Sequence, residues 1–156
     1  ALMTWCTLEH AKTAAWHVAE GARKAGRNPE DVEVATLLPC AAGSAGEGAL
    51  EGLRTNIARY AAGFPRYRRL MEQAGFTEEL QAVRRLWNEG NHEEARRLVP
   101  TELIDKIALV GDADKCRRKL DEYRQAGITQ PIISPRVSGP NPKEEAMQII
   151  RACAPR

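Results

Sequence analysis

Residues 102–137 read ELIDKIALVGDADKCRRKLDEYRQAGITQPIISPRV, and the fold turns on this stretch. It predicts a helix, a short turn, an amphipathic helix and a strand. Asp112 is placed as an N-cap, because its carboxylate can accept free backbone N–H groups of a first turn. Asp114 adds negative charge where the helix dipole is positive, and Lys115, Arg117, Arg118 and Lys119 follow. Cys116, Leu120 and Tyr123 fall on one apolar stripe at helical spacing. Gly127 can take the left-handed conformation that ends such a helix. The run 128–134 is short, apolar and β-branched, and Pro135 stops it. A helix of this kind feeding an apolar strand is half of a β/α unit.

Working outward, residues 2–6 predict a first strand and Thr7 an acceptable cap for a helix over 8–25. The inner stripe of that helix is Ala11, Ala15, Val18, Ala22 and Ala25, small enough to let it lie close on a sheet. Residues 32–40 (VEVATLLPC) predict a second strand, apolar on both faces after Glu33 and ended by Pro39. Residues 41–48 hold Gly43, Ser44, Gly46 and Gly48 and predict a flexible loop. From 47 to 110 the pattern is helical with no strand signal. Thr77 and Thr101 are the expected caps, and Gly63-Phe64-Pro65, Asn88 to Asn91 and Pro100 are the breaks. Asn141 with Pro142 at the first helical position opens a terminal helix, burying Ala146, Ile149, Ile150 and Cys153. The expected order is β-α-β, a helical insert, then α-β-α, with three parallel strands. The length of 156 residues fits a single domain over 1–156.

Three stretches carry a resemblance. The segment VGDADKCRRKLDEYRQAGITQPIISP, the opening ALMTWCTLEH and the run ARKAGRNPEDVEVA resemble, in order, parts of the luciferase-like monooxygenases. The first resembles that family's C-terminal helix and last strand. The second resembles its sixth strand, and the third its approach to the seventh. The resemblance implies an α/β fold, the last three β/α units of a TIM barrel, with a helical insertion before the last strand. It also implies a flavin- or deazaflavin-dependent oxidoreductase acting on a small-molecule substrate, and a cytoplasmic location. A full barrel needs about 250 residues, and Ala1 falls inside a strand, so the chain reads as a fragment that is inactive alone. The competing reading is a non-catalytic remnant that serves as an oligomeric assembly module.

Composition narrows the partners. A net charge of +2, with bases interleaved among acids, gives no argument for nucleic acid. Arg54, Arg59, Arg66, Arg68 and Arg69 lie among Tyr60 and Tyr67, but no recognised nucleic-acid module surrounds them. No apolar run approaches the roughly 20 residues that cross a membrane. The four cysteines are scattered without CxxC spacing and read as reduced thiols.

Chemistry is sparse. A metal site can be drawn from Cys6, His10 and His17, but no fourth ligand is visible, and solvated histidines are the plainer reading. No metal and no catalytic residue is assigned. Gly43-Ser44 has neither the nucleophile-elbow nor the P-loop pattern. Active sites of β/α barrels lie at the C-terminal ends of strands. That rim here is Trp5, Cys6 and Thr7 with residues 39–44 and 134–137. Trp5, Thr7, Gly43 and Ser44 are the cofactor-contacting candidates; for Trp5, plain rim packing has equal standing. The resemblance implies flavin mononucleotide (FMN) or a deazaflavin in the whole protein. It also implies no tightly bound cofactor in this chain, because much of the family's pocket lies upstream. Three strands cannot close a barrel, so a homo-oligomer is expected, with Val34, Thr36, Leu38 and Ile132 or Ile133 near its contact.

Overall fold

The computed structural model describes residues 1–43 and 46–154. Its elements in order are β1 (Leu2–Thr4), α1 (Leu8–Lys24), β2 (Ala35–Ala42), α2 (Gly46–Gly63), α3 (Pro65–Gln73), α4 (Thr77–Asn88), α5 (His92–Arg97), α6 (Thr101–Ile107), β3 (Leu109–Gly111), α7 (Ala113–Gln125), β4 (Gln130–Pro135) and α8 (Pro142–Cys153). All strand pairs among the described residues are parallel, and β2 is the centre of the sheet. Leu2 stands opposite Ala35, Leu37 opposite Ile132 and Cys40 opposite Leu109.

The backbone bonds show how one strand serves three partners. Residues of a parallel strand alternate in the neighbour they bond. Val34 and Cys40 carbonyls accept from the β4 side, at Gln130 (3.1 Å) and Arg136 (2.7 Å). Ala35 and Gly43 donate the other way, to Ala1 (2.7 Å) and Gly111 (2.8 Å). So β4 takes one edge of β2, while β1 and β3 lie in succession along the other. Pro39 belongs to this second set and falls in the gap between β1 and β3, where no ladder needs its missing N–H. That is why β2 runs through Pro39 to Ala42, where the sequence pattern put the end at Pro39 and a loop from Ala41.

Other boundaries also moved. β1 stops at Thr4, because Trp5 leaves the extended region at φ 54°. β3 is a fourth strand that the pattern did not predict. Phe76 and Pro100, not Thr77 and Thr101, occupy the N-cap positions, and the threonines are the first helical residues. Asn141 is an N-cap without a capping bond. Ile150 is exposed, as is Ala25.

Two caps behave as the sequence predicts. Thr7 Oγ1 accepts from His10 N at 3.2 Å and Asp112 Oδ1 from Lys115 N at 2.7 Å. Gly127 ends α7 at φ 96°, and a Cβ there would lie 2.9 Å from the Cβ of Ala15, so α1 approaches α7 where only glycine leaves room.

Two cores form. The even residues Val34, Leu38, Cys40 and Ala42 of the β2 segment pack with Ala11 of α1, Cys116, Leu120 and Tyr123 of α7, and Ile149 and Cys153 of α8. The second core belongs to α2–α6, with Leu53, Ile57, Met71, Leu80 and Leu103 fully buried. Each such side chain contributes about 1.5–3 kcal/mol. Trp5 and Ala41 join this core, so they fasten the helical insert to the sheet.

Candidate functional site

Trp5, Gly43 and Arg136 follow the C-terminal ends of β1, β2 and β4, and Trp5 packs against the α2–α6 insert. Trp5 is the only non-glycine residue with positive φ among those described, and it is buried. Strain of this kind costs about 1–3 kcal/mol and persists where packing enforces it. The packing is aromatic: the Trp5 ring centroid lies 5.2 Å from that of Tyr60, which stands 5.0 Å from Phe64 and 5.2 Å from Tyr67.

The other candidates fare differently. The Thr7 hydroxyl is occupied in capping α1. Gly43, at φ 73°, donates its N–H to Gly111 and turns the chain from β2 toward α2. Ser44 lies outside the described residues. The first turn of α2 lies against the segment after β4, since a Cβ at Gly48 would meet Ser138 Oγ at 2.8 Å. Glu145 fixes that segment by accepting from the N–H groups of Ser138 and Gly139, both at 3.1 Å.

Arg136 follows the last residue of β4. Its backbone N–H bonds Cys40, but its side-chain Nε is buried with no partner. A buried guanidinium N–H left unpaired is unfavourable, and that marks Arg136 as the unsatisfied side chain of the rim. Only its position, a cation just past the last strand, signals it in the sequence. Two arginines of the insert serve the fold: Arg54 bonds the Val99 carbonyl and Thr101, and Arg68 bonds the Ala61 carbonyl at 3.0 Å and Glu72.

The thiols regroup. Cys6 contacts Thr36 Oγ1 at 3.2 Å, and burial raises its pKa. It does not join His10 and His17. Instead the Sγ atoms of Cys40, Cys116 and Cys153 all lie within 4.8 Å of one another, fully buried, and Cys40 and Cys153 approach to 3.6 Å. All four cysteines are unbridged. Hydrogen bonds from the Cys116 and Cys40 thiols, then the Arg117 charge, pull Cys153 toward thiolate. Hydrogen bonding with its two neighbours and burial push Cys40 strongly upward. Cys116 and Cys153 fall on predicted apolar helix stripes and Cys40 in a predicted strand, but linear spacing gave no sign that the three meet.

Known proteins share this arrangement. The luciferase-like monooxygenase profile matches residues 1–130. A Mycobacterium tuberculosis protein named as a coenzyme F420-dependent oxidoreductase is 27% identical over 119 residues, 70% of this chain and 33% of its own length. The 5,10-methylenetetrahydromethanopterin reductase of Methanopyrus kandleri is 27% identical over 134 residues, 85% of this chain and 37% of its own length. The solved coenzyme F420-dependent tetrahydromethanopterin reductase of that organism superposes with a TM-score of 0.78 at 25% identity, covering 96% of this chain and 42% of that one. An F420-dependent secondary alcohol dehydrogenase, solved with an F420–acetone adduct, shares the fold at a TM-score of 0.58 and 16% identity. The chain thus spans about a third to two fifths of the length of these relatives. Sequence profile and strand arrangement agree, and the chain belongs to the luciferase-like monooxygenase family.

Proposed function

We propose that this chain forms the last β/α units of a barrel in an oxidoreductase that uses a deazaflavin, with FMN the less favoured cofactor. The observation that carries this reading is the superposition on the F420-dependent reductase over 96% of the chain. When bound, a deazaflavin supplies hydride chemistry to a small-molecule substrate. The work of this chain is to shape one side of the pocket. Trp5, held by Tyr60, forms a rigid floor. Gly43 edges the pocket at the end of β2. Thr7 sets the start of α1 beside it. Arg136 would contribute its cation and its unsatisfied Nε to an anionic or carbonyl-bearing ring.

Fluorescence titration of coenzyme F420 and FMN into the isolated chain tests this. Saturable F420 binding weaker than about 1 μM is expected, with FMN weaker still. Arg136→Ala should weaken F420 by about tenfold, or roughly 1.4 kcal/mol. FMN bound more tightly than F420 would reject the preference for a deazaflavin, and sub-micromolar binding would mean that the pocket is complete within these residues.

A second reading, an assembly module, has its own observation: Leu2 and Ile132 stand exposed on the sheet.

A further inference from the structure

Three nucleophilic sulfurs converge in the layer between β2 and helices α7 and α8. Cys40 comes from an even position of β2, Cys116 from the first turn of α7, and Cys153 from the last residue of α8. Zinc–sulfur bonds of about 2.3 Å place tetrahedral thiolates roughly 3.8 Å apart. Against the observed spacing, 3.6 Å for Cys40 to Cys153 and at most 4.8 Å overall, that needs shifts of no more than about 1 Å. A disulfide would require sulfurs about 2.05 Å apart and would strand the third thiol.

Charge and access agree with a divalent ion. Three thiolates carry three negative charges, and a divalent cation neutralises two. The remaining charge meets the Arg117–Asp114 ion pair at the edge of the cluster, where the guanidinium bonds the carbonyl of Ala152, next to Cys153, and the Asp114 carboxylate at 2.6 Å. A surface cleft of about 730 Å³, lined by Asp114, Arg117, Leu120 and Cys153 among others, touches the cluster at Cys153. Through Cys153 it gives an ion an approach to the cluster.

We propose that Cys40, Cys116 and Cys153 form a binding site for one thiophilic divalent cation of the zinc class, which staples α8 to α7 and the sheet. On binding, the thiol protons leave to solvent and three metal–sulfur bonds form, with no change of oxidation state. The site is structural, because its ligands lie on the helix-facing side of β2.

The test uses the chain fully reduced and kept anaerobic, with cobalt(II) as the optical probe and zinc(II) as competitor. One cobalt per chain should bind, with thiolate-to-cobalt charge-transfer absorption and the intense visible bands of a tetrahedral site. Zinc should displace it and raise the melting temperature by several degrees. Cys153→Ala and Cys116→Ala should each weaken zinc by at least about 100-fold, while Cys6→Ser leaves it unchanged. Cys153 ends the terminal helix, so its variant retains the rest of the fold, which circular dichroism checks. Absence of charge-transfer bands at micromolar cobalt overturns the proposal. So does zinc binding that survives both alanine variants, which would place the ion on surface histidines or carboxylates.

Discussion

At the scale of single residues, Tyr123 ties the molecule together. Its ring is fully buried on α7, and its hydroxyl donates to the Cys6 carbonyl at 2.9 Å, just past β1. Tyr123→Phe keeps the ring and strands that carbonyl, so it should cost about 1–2 kcal/mol in urea unfolding at unchanged m value. A loss of only a few tenths would show that water replaces the bond. The same residue sets an alkaline limit. Burial, followed by the Cys6, Glu9 and Glu122 charges, raises its pKa well above the usual phenol value. The native state therefore keeps a proton that the unfolded chain loses above about pH 10. Stability from this group is intact below that pH and falls as pH rises through it. The buried thiols Cys6 and Cys116 act in the same direction from about pH 9. Tyr123→Phe should flatten the decline measured between pH 9 and 11, and an unchanged slope would assign it to the thiols alone.

At the scale of elements, the starts of α1 and α7 could be read from sequence because a cap is a local transaction between neighbours. Asp112 illustrates this and can be tested directly. Asp112→Ala removes the acceptor for Lys115 N and should destabilise by about 1 kcal/mol, while Asp112→Asn should nearly preserve it. Equal loss in both would trace the effect to charge, not to the capping bond. What was illegible depended on distant partners. β3 has only three residues, too few for a period, and exists because residues 40–42 of β2 lie alongside. Pro39 reads as a strand end, and only the gap between β1 and β3 makes it tolerable inside one. The strain at Trp5 has no local cause; it is imposed by the aromatic cluster of α2 and α3. Cys40 and Cys153 touch across 113 residues of sequence, so no spacing rule reveals the thiol cluster. The rim itself was legible, because strand ends follow from strand order.

At the scale of the whole molecule, the sheet has one well-covered face. Even positions of β2 pack under α1, α7 and α8, so Val34, Thr36 and Leu38, expected near a contact between copies, are sealed inside one chain. Ile133 also packs against that core. The other face carries Leu2, 68% exposed, half-buried Leu37 and Ile132, 40% exposed. The register sets Leu37 beside Ile132, so these side chains adjoin. Among the described residues, the outer edges of β1 and β4 pair with nothing. Open edges are templates for further strands, and adjoining exposed apolar residues favour association. A chain of these residues alone should therefore associate with its own copies, and the contact shifts from Val34, Thr36 and Leu38 to Leu2, Leu37 and Ile132. Sedimentation equilibrium at micromolar concentration should find a dimer or larger species. Ile132→Lys should return it toward monomer, because a lysine there faces the contact and disturbs no core. A wild-type chain that stays monomeric across that range would reject the contact. In that case the α2–α6 bundle, anchored through Trp5 and Ala41, would be cover enough for the sheet.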